Sequence, residues 1–374
     1  MKRILPLLFW SSCPSVIPGR AEARTRNLEI PGSMLAHRPG MTGADNCFLC
    51  PAFERAKLGR NASIPVQAGK TNLPIRSPHD DPLARFRGRL SLPLIAAPMF
   101  LVSGVELVVA ACRNGVIGAF PTVNCRTPEQ LDAWLREIEN RLQRHQDAQG
   151  RPAAPICPNL IVHRSNARLS DDLAVLLSHG CELVITSVGS PEPVLEPLHD
   201  AGVLVLADVA SIRHAERAVE AGADGLVLLT AGAGGQTGWL NPFAFVRAVR
   251  AFFDGIIVLA GGLSDGCALH AAEVLGCDLA YMGTKFIATR ESMADDRYKQ
   301  MLVSSSADDI LLTTAFTGLQ TNMLRPSIEA AGLDPDNLPQ RGAIDIGKDI
   351  DIAARDSRPK RWRDIWSAGH SVSG

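Results

Sequence analysis

A chain of 374 residues with 46% hydrophobic and 21% charged residues has the composition of a soluble globular protein that can bury one large core or two ordinary ones. Its net charge of −1 argues against a nucleic-acid or acidic-membrane partner, although residues 1–80 carry 11 Lys/Arg against 5 Asp/Glu, a balance of +6 that leaves −7 for the remainder. Nine cysteines at irregular spacings make no even disulfide framework, which places the chain in a reducing compartment, the cytoplasm.

In chain order, "MKRILPLLFW" resembles the start of a secretory signal, but its apolar core is short and broken by Pro6. Residues 1–81 are otherwise rich in Pro, Arg and small polar residues without a sustained period, and read as a poorly ordered extension. Cys47 and Cys50 form a lone CxxC with no second pair and no suitably spaced His, so no metal site is expected there. No apolar run is long enough to span a bilayer.

From Pro82 the pattern becomes regular. Eight apolar runs, "LPLIAAPM" (92–99), "VIGAFPT" (116–122), "PICPNLIV" (155–162), "CELVITSVG" (181–189), "VLVLADVA" (203–210), "DGLVLLTAG" (224–232), "GIIVLAGG" (255–262) and "LAYMGTKFIA" (279–288), are separated by helix-like segments. One of these segments opens with Thr127-Pro128, the cap and first-turn proline of a helix start. Continuous apolar runs mark strands buried on both faces, hence a parallel sheet. Eight βα units predict a (β/α)8 TIM barrel over residues 82–340, with residues 341–374 as a tail packing on it. The alternative is a doubly wound open sheet, although the first βα turn, "APMFLVSG", lacks G-x-G-x-x-G.

In a barrel the chemistry collects where strands end. The first run ends in Ala97-Pro98-Met99, the third in Pro158-Asn159, and the sixth in the glycine-dense "TAGAGGQTG". Gly261-Gly262 and Gly283-Thr284 end the last two runs and fit a phosphate cradle of bare backbone N–H groups and one hydroxyl. Asn159 could read the edge of a heterocycle, or be a turn residue.

"PLIAAPM", "AGADGLVLLTAGAGGQTG", "VLAGGLSDG", "YMGTKFIATRES" and the closing "RWRDIWSAGHSV" together resemble the nitronate monooxygenase family, from about residue 88 to the end. The resemblance implies an FMN-dependent barrel enzyme acting on a small-molecule substrate with dioxygen, with no nucleic-acid or membrane partner. It carries FMN contacts onto Ala97, Met99, Asn159, Gly234, Gly235, Gly261, Gly262, Met282, Gly283 and Thr284, with the glycines of the sixth loop letting the backbone pass close to the flavin ring. FMN-barrel enoyl-acyl-carrier reductases share much of the pattern. Whether the chain forms a homo-oligomer is left open.

The departure lies at Gln236. The family motif reads Gly-Gly-His, and that histidine is held to remove the α-proton of a neutral nitroalkane; this chain reads Gly234-Gly235-Gln236. An amide accepts no proton near neutral pH but can orient a nitro or carbonyl oxygen. The implied activity is oxidation of alkyl nitronates, which are already deprotonated, with weak or no action on neutral nitroalkanes. An NAD(P)H-dependent enoyl reductase and a flavin-binding protein with little turnover are the alternatives. His163, after the third run, is the candidate to replace the missing base. His370 could reach the site if the tail docks there, and Lys285 and Arg290 could balance flavin charge. His179, His199, His214 and His270 are expected on outer helices, and Cys125 and Cys157 in the core.

Overall fold

The structure, a computed structural model, describes residues 81–339 and 363–373. The expectations for the N-terminal extension, including Cys47 and Cys50, lie outside the described residues, as does most of the proposed tail. After helix α1 (Ala84–Arg87) the strands and helices alternate: β1 (Leu94–Ala96), α2 (Val105–Arg113), β2 (Ile117–Gly118), α3 (Pro128–Gln149), β3 (Asn159–Ile161), α4 (Leu169–Ser178), β4 (Leu183–Ser187) and α5 (Glu192–Asp200). The second half continues with β5 (Leu204–Val209), α6 (Ile212–Ala221), β6 (Gly225–Leu229), a short β7 (Gly235–Gln236), α7 (Pro242–Arg250), β8 (Ile256–Ala260), α8 (Gly266–Leu275) and β9 (Leu279–Met282). Helices α9 (Thr284–Ile287) and α10 (Asp296–Ser304), strands β10 (Ile310–Thr313) and β11 (Thr321–Leu324), and α11 (Arg325–Ala330) follow.

Eight strands form one parallel sheet in the order β2-β1-β9-β8-β6-β5-β4-β3. Parallel bridges Gly118↔Ile156 and Pro121↔Asn159 join its two outer strands, so the sheet closes into the expected barrel. The unbroken apolar runs now have a physical cause. Alternate residues of β8, Ile256, Val258 and Ala260, fill the barrel interior. Ile257 and Leu259 pack outward against the helices. Both faces are covered, so neither can be polar.

The helices obey the same economy. Leu131, Leu135 and Ile138, spaced four and three apart, form the buried stripe of α3, and each has no exposed surface. Burying each such side chain stabilises the fold by about 1.5–3 kcal/mol. Thr127 starts that helix by accepting a hydrogen bond from the Gln130 N–H at 3.2 Å, beside Pro128 in the first turn. A three-stranded antiparallel sheet, β10-β11-β7, is added beyond the barrel, and the sequence pattern does not announce it. Its central contact places Thr321 opposite Gln236 and Asn322 opposite Gly235.

The N-terminal end of the barrel is plugged by Phe86, fully buried with Leu83 against strand-start residues such as Ile95, Leu183 and Ile256. Arg85 lies over the Phe86 ring at 4.7 Å from its centroid. Phe86→Ala is expected to cost about 3–5 kcal/mol of stability through the cavity it leaves. Since the plug is at the end opposite the strand termini, ligand affinity of the folded variant should be unchanged. Denaturant melts paired with ligand titration check both halves of this expectation.

Candidate active site

At the C-terminal ends of the strands the chain encloses a cavity of about 280 Å³, lined by residues from most barrel strands, from β7 and β11, and from residues 366–371. Its first wall is the turn after β1. Asn124 holds this turn with both ends of its amide: Nδ2 donates to the Met99 carbonyl at 3.1 Å and the Ser103 carbonyl at 2.7 Å, while Oδ1 accepts from the Leu101 N–H at 2.9 Å. Those bonds hold Leu101 at φ 61°, a conformation that costs a non-glycine residue about 1–2 kcal/mol. A second backbone departure, Val188 at φ 59°, lies on the cavity after β4. A β-branched residue there is a true outlier, and such strain collects at functional sites. Asn159 is buried beside it, its Oδ1 accepting from the Ser187 hydroxyl at 3.2 Å.

The glycine-dense loop after β6 forms the second wall, and here the structure adds a contact that the sequence does not show. A Cβ on Gly234 would stand 2.7 Å from the backbone nitrogen of Gly369 and 2.9 Å from the carbonyl carbon of Ala368. That glycine is required by a close approach of two protein backbones, and its other side lines the cavity. The C-terminal tail is therefore part of the site. The His370 N–H donates to the Gly232 carbonyl at 2.9 Å, and the Gly369 N–H donates to Thr284 Oγ1 at 3.0 Å. Upstream, Trp366 stacks on Tyr298 with ring centroids 5.0 Å apart, and the Tyr298 hydroxyl donates to the Ser367 carbonyl. Asn322 of β11 donates to the Ala233 carbonyl at 2.7 Å and pins the loop from the other side.

The third wall is the Gly261-Gly262 turn with Gly283-Thr284. Gly261 has φ 125°, and a Cβ there would meet Thr230 Oγ1 at 2.5 Å, so no other residue fits. Gly262, in contrast, has open space where a side chain would be. This is a cradle of bare backbone at the position where barrels hold phosphate.

Of the residues singled out from sequence, Ala97, Met99, Asn159, Gly234, Gly235, Gln236, Gly261, Gly262, Gly283 and Thr284 all line this cavity. Met282 and His163 are not among its lining residues. Strand alternation turns the Met282 side chain outward into the helix-facing core, while its carbonyl accepts from the Ala97 N–H at 2.9 Å beside the β1–β9 ladder. His163 is instead engaged locally, its Nδ1 2.8 Å from the Ser165 hydroxyl. Lys285, Arg290 and His370 are exposed residues outside the lining. The outer histidines are bound elsewhere; His179, for example, sits between the carboxylates of Asp132 and Glu139. Cys125 and Cys157 are buried core thiols, as expected.

Sequence reading missed Asp208, Tyr281, Tyr298, Thr321 and Trp366, all on the cavity. Asp208 had a readable signal, a lone carboxylate inside an apolar run. Burial pushes its carboxyl up to about 8, and its Oδ1 finds no hydrogen-bond partner among the described residues. The site thus offers a phosphate-sized cradle, an apolar slot and three uncommitted polar contacts: the Gly262 turn, the Gln236 amide and the Asp208 carboxyl. That set is compatible with a flavin, whose heteroatom-edged ring offers partners for those polar groups. Among the described residues no group of His, Cys, Asp and Glu is arranged to hold a metal ion, and no helix is long and apolar enough to cross a membrane.

A barrel with its cavity over the strand ends and a glycine cradle at the last two strands has the layout of the TIM-barrel enzymes. The chain belongs to the nitronate monooxygenase family, whose model matches residues 88–332. It is 27% identical over 308 residues to a nitronate monooxygenase of Paraburkholderia phytofirmans, covering 70% of this chain and 82% of that one. The fold is shared with FabK of Thermotoga maritima, at TM-score 0.61 and 21% identity over 78% of this chain and 89% of that one. It is also shared with a nitroalkane oxidase of Streptomyces ansochromogenes, at TM-score 0.56 and 24% identity over 63% and 77% of the two chains. The protein is a flavin-dependent oxidoreductase.

Gly234→Ala tests the tail's part in this architecture. Because the obstructing atoms are backbone, the tail must yield, and residues 363–373 should lose their protection from amide exchange while the barrel strands keep theirs. Unchanged exchange in the tail would show that the loop and tail are not locked together.

Proposed function

We propose that the cavity binds FMN and that the enzyme oxidises alkyl nitronates with dioxygen, acting weakly or not at all on neutral nitroalkanes. The observation that carries this reading is Gln236, which lines the cavity where the family motif places histidine. In this reading the phosphate is held by the Gly261-Gly262 and Gly283-Thr284 turns, and the ring lies against Ala97, Met99, Asn159, Gly234 and Gly235. Bound flavin supplies an acceptor for the electron pair of the substrate carbon and a route for it to dioxygen.

The chain's own residues bind and orient. Gln236 is held at a fixed height by the β7–β11 pairing, where Thr321 stands opposite it. Its amide donates a hydrogen bond to a nitro oxygen but cannot take a carbon-bound proton. A nitronate has already lost that proton, so no step of its oxidation needs a base. The tail residues Trp366 to Gly369 wall the cavity against bulk water. Six unpaired cysteines among the described residues support a reducing, cytoplasmic location.

Anaerobic mixing with an alkyl nitronate, its parent nitroalkane and NADPH in separate cells is the direct test. Bleaching of the flavin by nitronate alone is expected, whereas bleaching by NADPH and not nitronate would replace this reading with an enoyl-reductase activity. Gln236→His should raise the rate with the neutral nitroalkane by about 10²–10⁴-fold, the usual contribution of a positioned general base, and leave the nitronate rate nearly unchanged. A variant that gains nothing on the nitroalkane would show that the residue at 236 is not what limits proton removal.

A further inference from the structure

Asp208 is a side chain that neither the fold nor the proposed chemistry uses. It lies in β5, where Leu206 and Ala210 on either side pack into the barrel interior and Ala207 and Val209 pack outward against the helices. Alternation therefore points Asp208 inward. In register it stands level with Val227 of β6 and Val258 of β8, one layer below Leu229, Ala260 and Tyr281. It nevertheless lines the cavity, so it forms part of the cavity's floor.

What surrounds it decides its state. From the flanking strands β4 and β6, the inward residues Ile185, Ser187, Val227 and Leu229 carry no ionisable group. The titratable groups that face it are the Cys157 thiol and the Tyr281 phenol, and both are driven well above their ordinary values by burial and by Asp208 itself. Burial raises its carboxyl, and among the described residues its Oδ1 has no hydrogen-bond partner to offset that. A carboxylate left unpaired in such a place costs several kcal/mol, so the group keeps its proton and becomes a hydrogen-bond donor. Elsewhere in this chain a buried acid is treated differently: Asp172 is paired with Arg168 at 2.6 Å.

We propose that Asp208 is a positioning residue of the cofactor site: a neutral carboxylic acid on the barrel floor that donates a hydrogen bond to an acceptor atom on the ring system of the flavin seated above it. This rests on the FMN reading of the cavity. The ligand class is a flat heteroaromatic ring with edge nitrogens or carbonyl oxygens, and the bond is made only while Asp208 is protonated. Flavin binding must then weaken as pH rises, because each deprotonated molecule has lost the donor and sets a negative charge against the lone pair of the ring's acceptor atom.

The same proton links to folding. The unfolded carboxyl titrates near its ordinary 3.8 and the folded one near 8, so the folded chain binds the extra proton between those values. Its contribution to stability is intact below the lower value and is lost progressively as pH climbs to the upper one.

The test compares full-length wild type, Asp208→Asn and Asp208→Ala. FMN is titrated into each apoprotein at pH 7 and pH 9, with flavin fluorescence quenching as the readout, and apoprotein melting is followed over the same range. Wild type should bind FMN about tenfold more weakly at pH 9 than at pH 7, as a midpoint near 8 requires. Asp208→Asn, which keeps a donor and cannot titrate, should show no such loss. Asp208→Ala should bind more weakly than wild type at pH 7 and be equally flat. The wild-type melting temperature should fall more between pH 7 and 9 than that of the Asn variant, a readout that needs no flavin. Equal pH dependence of FMN affinity in wild type and Asp208→Asn overturns the proposal while leaving the cofactor reading standing. Failure of wild type to bind FMN at either pH overturns the cofactor reading, and this inference with it.

Discussion

The meeting of two backbones, the loop at Gly234 and the tail at Gly369, holds the site together. Neither position has room for a Cβ, since one on Gly234 would stand 2.7 Å from the Gly369 nitrogen and one on Gly369 would stand 2.6 Å from the Gly232 carbonyl oxygen. That contact brings the Gly369 N–H to Thr284 and the His370 N–H to Gly232, so the Gly283-Thr284 turn, the glycine loop and the tail share one junction. Through Trp366 the junction extends to Tyr298 and β11. Loosening any one of these elements opens a wall of the cavity, because the others are positioned through it.

The barrel beneath supplies a second constraint. Its interior is apolar from the Phe86 plug to the layer of Val227 and Val258, and into that layer it places one carboxyl. An apolar interior is the cheapest way to fill a closed sheet, and each polar group added to it must find a partner or lose its charge. Asp172 follows the first course, where burial raises its carboxyl and Arg168 works in the opposite direction. Asp208 follows the second, and its position under the cavity turns a packing penalty into a donor aimed at a ligand.

Much of this could be read from residue order. The eight strands follow from apolar runs that report burial on two faces, and the helices from capping residues such as Thr127 and the spacing of Leu131, Leu135 and Ile138. That residues 97, 99, 261, 262, 283 and 284 line the cavity was legible because barrels open their cavities at strand ends, whereas Asn159 lines it from the first position of β3. A turn motif gives the order of residues but not which face of the strand each takes, so the sequence does not show that the Met282 side chain turns into the helix-facing core. Proximity to a strand end in sequence does not say that a nearby serine will engage the His163 ring.

Local pattern, then, determined the barrel, its cradle and the amide at 236, since periodicity, capping and backbone freedom are properties of neighbouring residues. Only the folded chain decided what the glycine loop approaches, because Gly369 and Thr284 are 85 residues apart, and Asn322 and Ala233 are 89 apart. It also decided that Asp208 Oδ1 has no hydrogen-bond partner among the described residues. Whether a carboxyl is charged depends on every element packed around it, and no stretch of sequence contains them all.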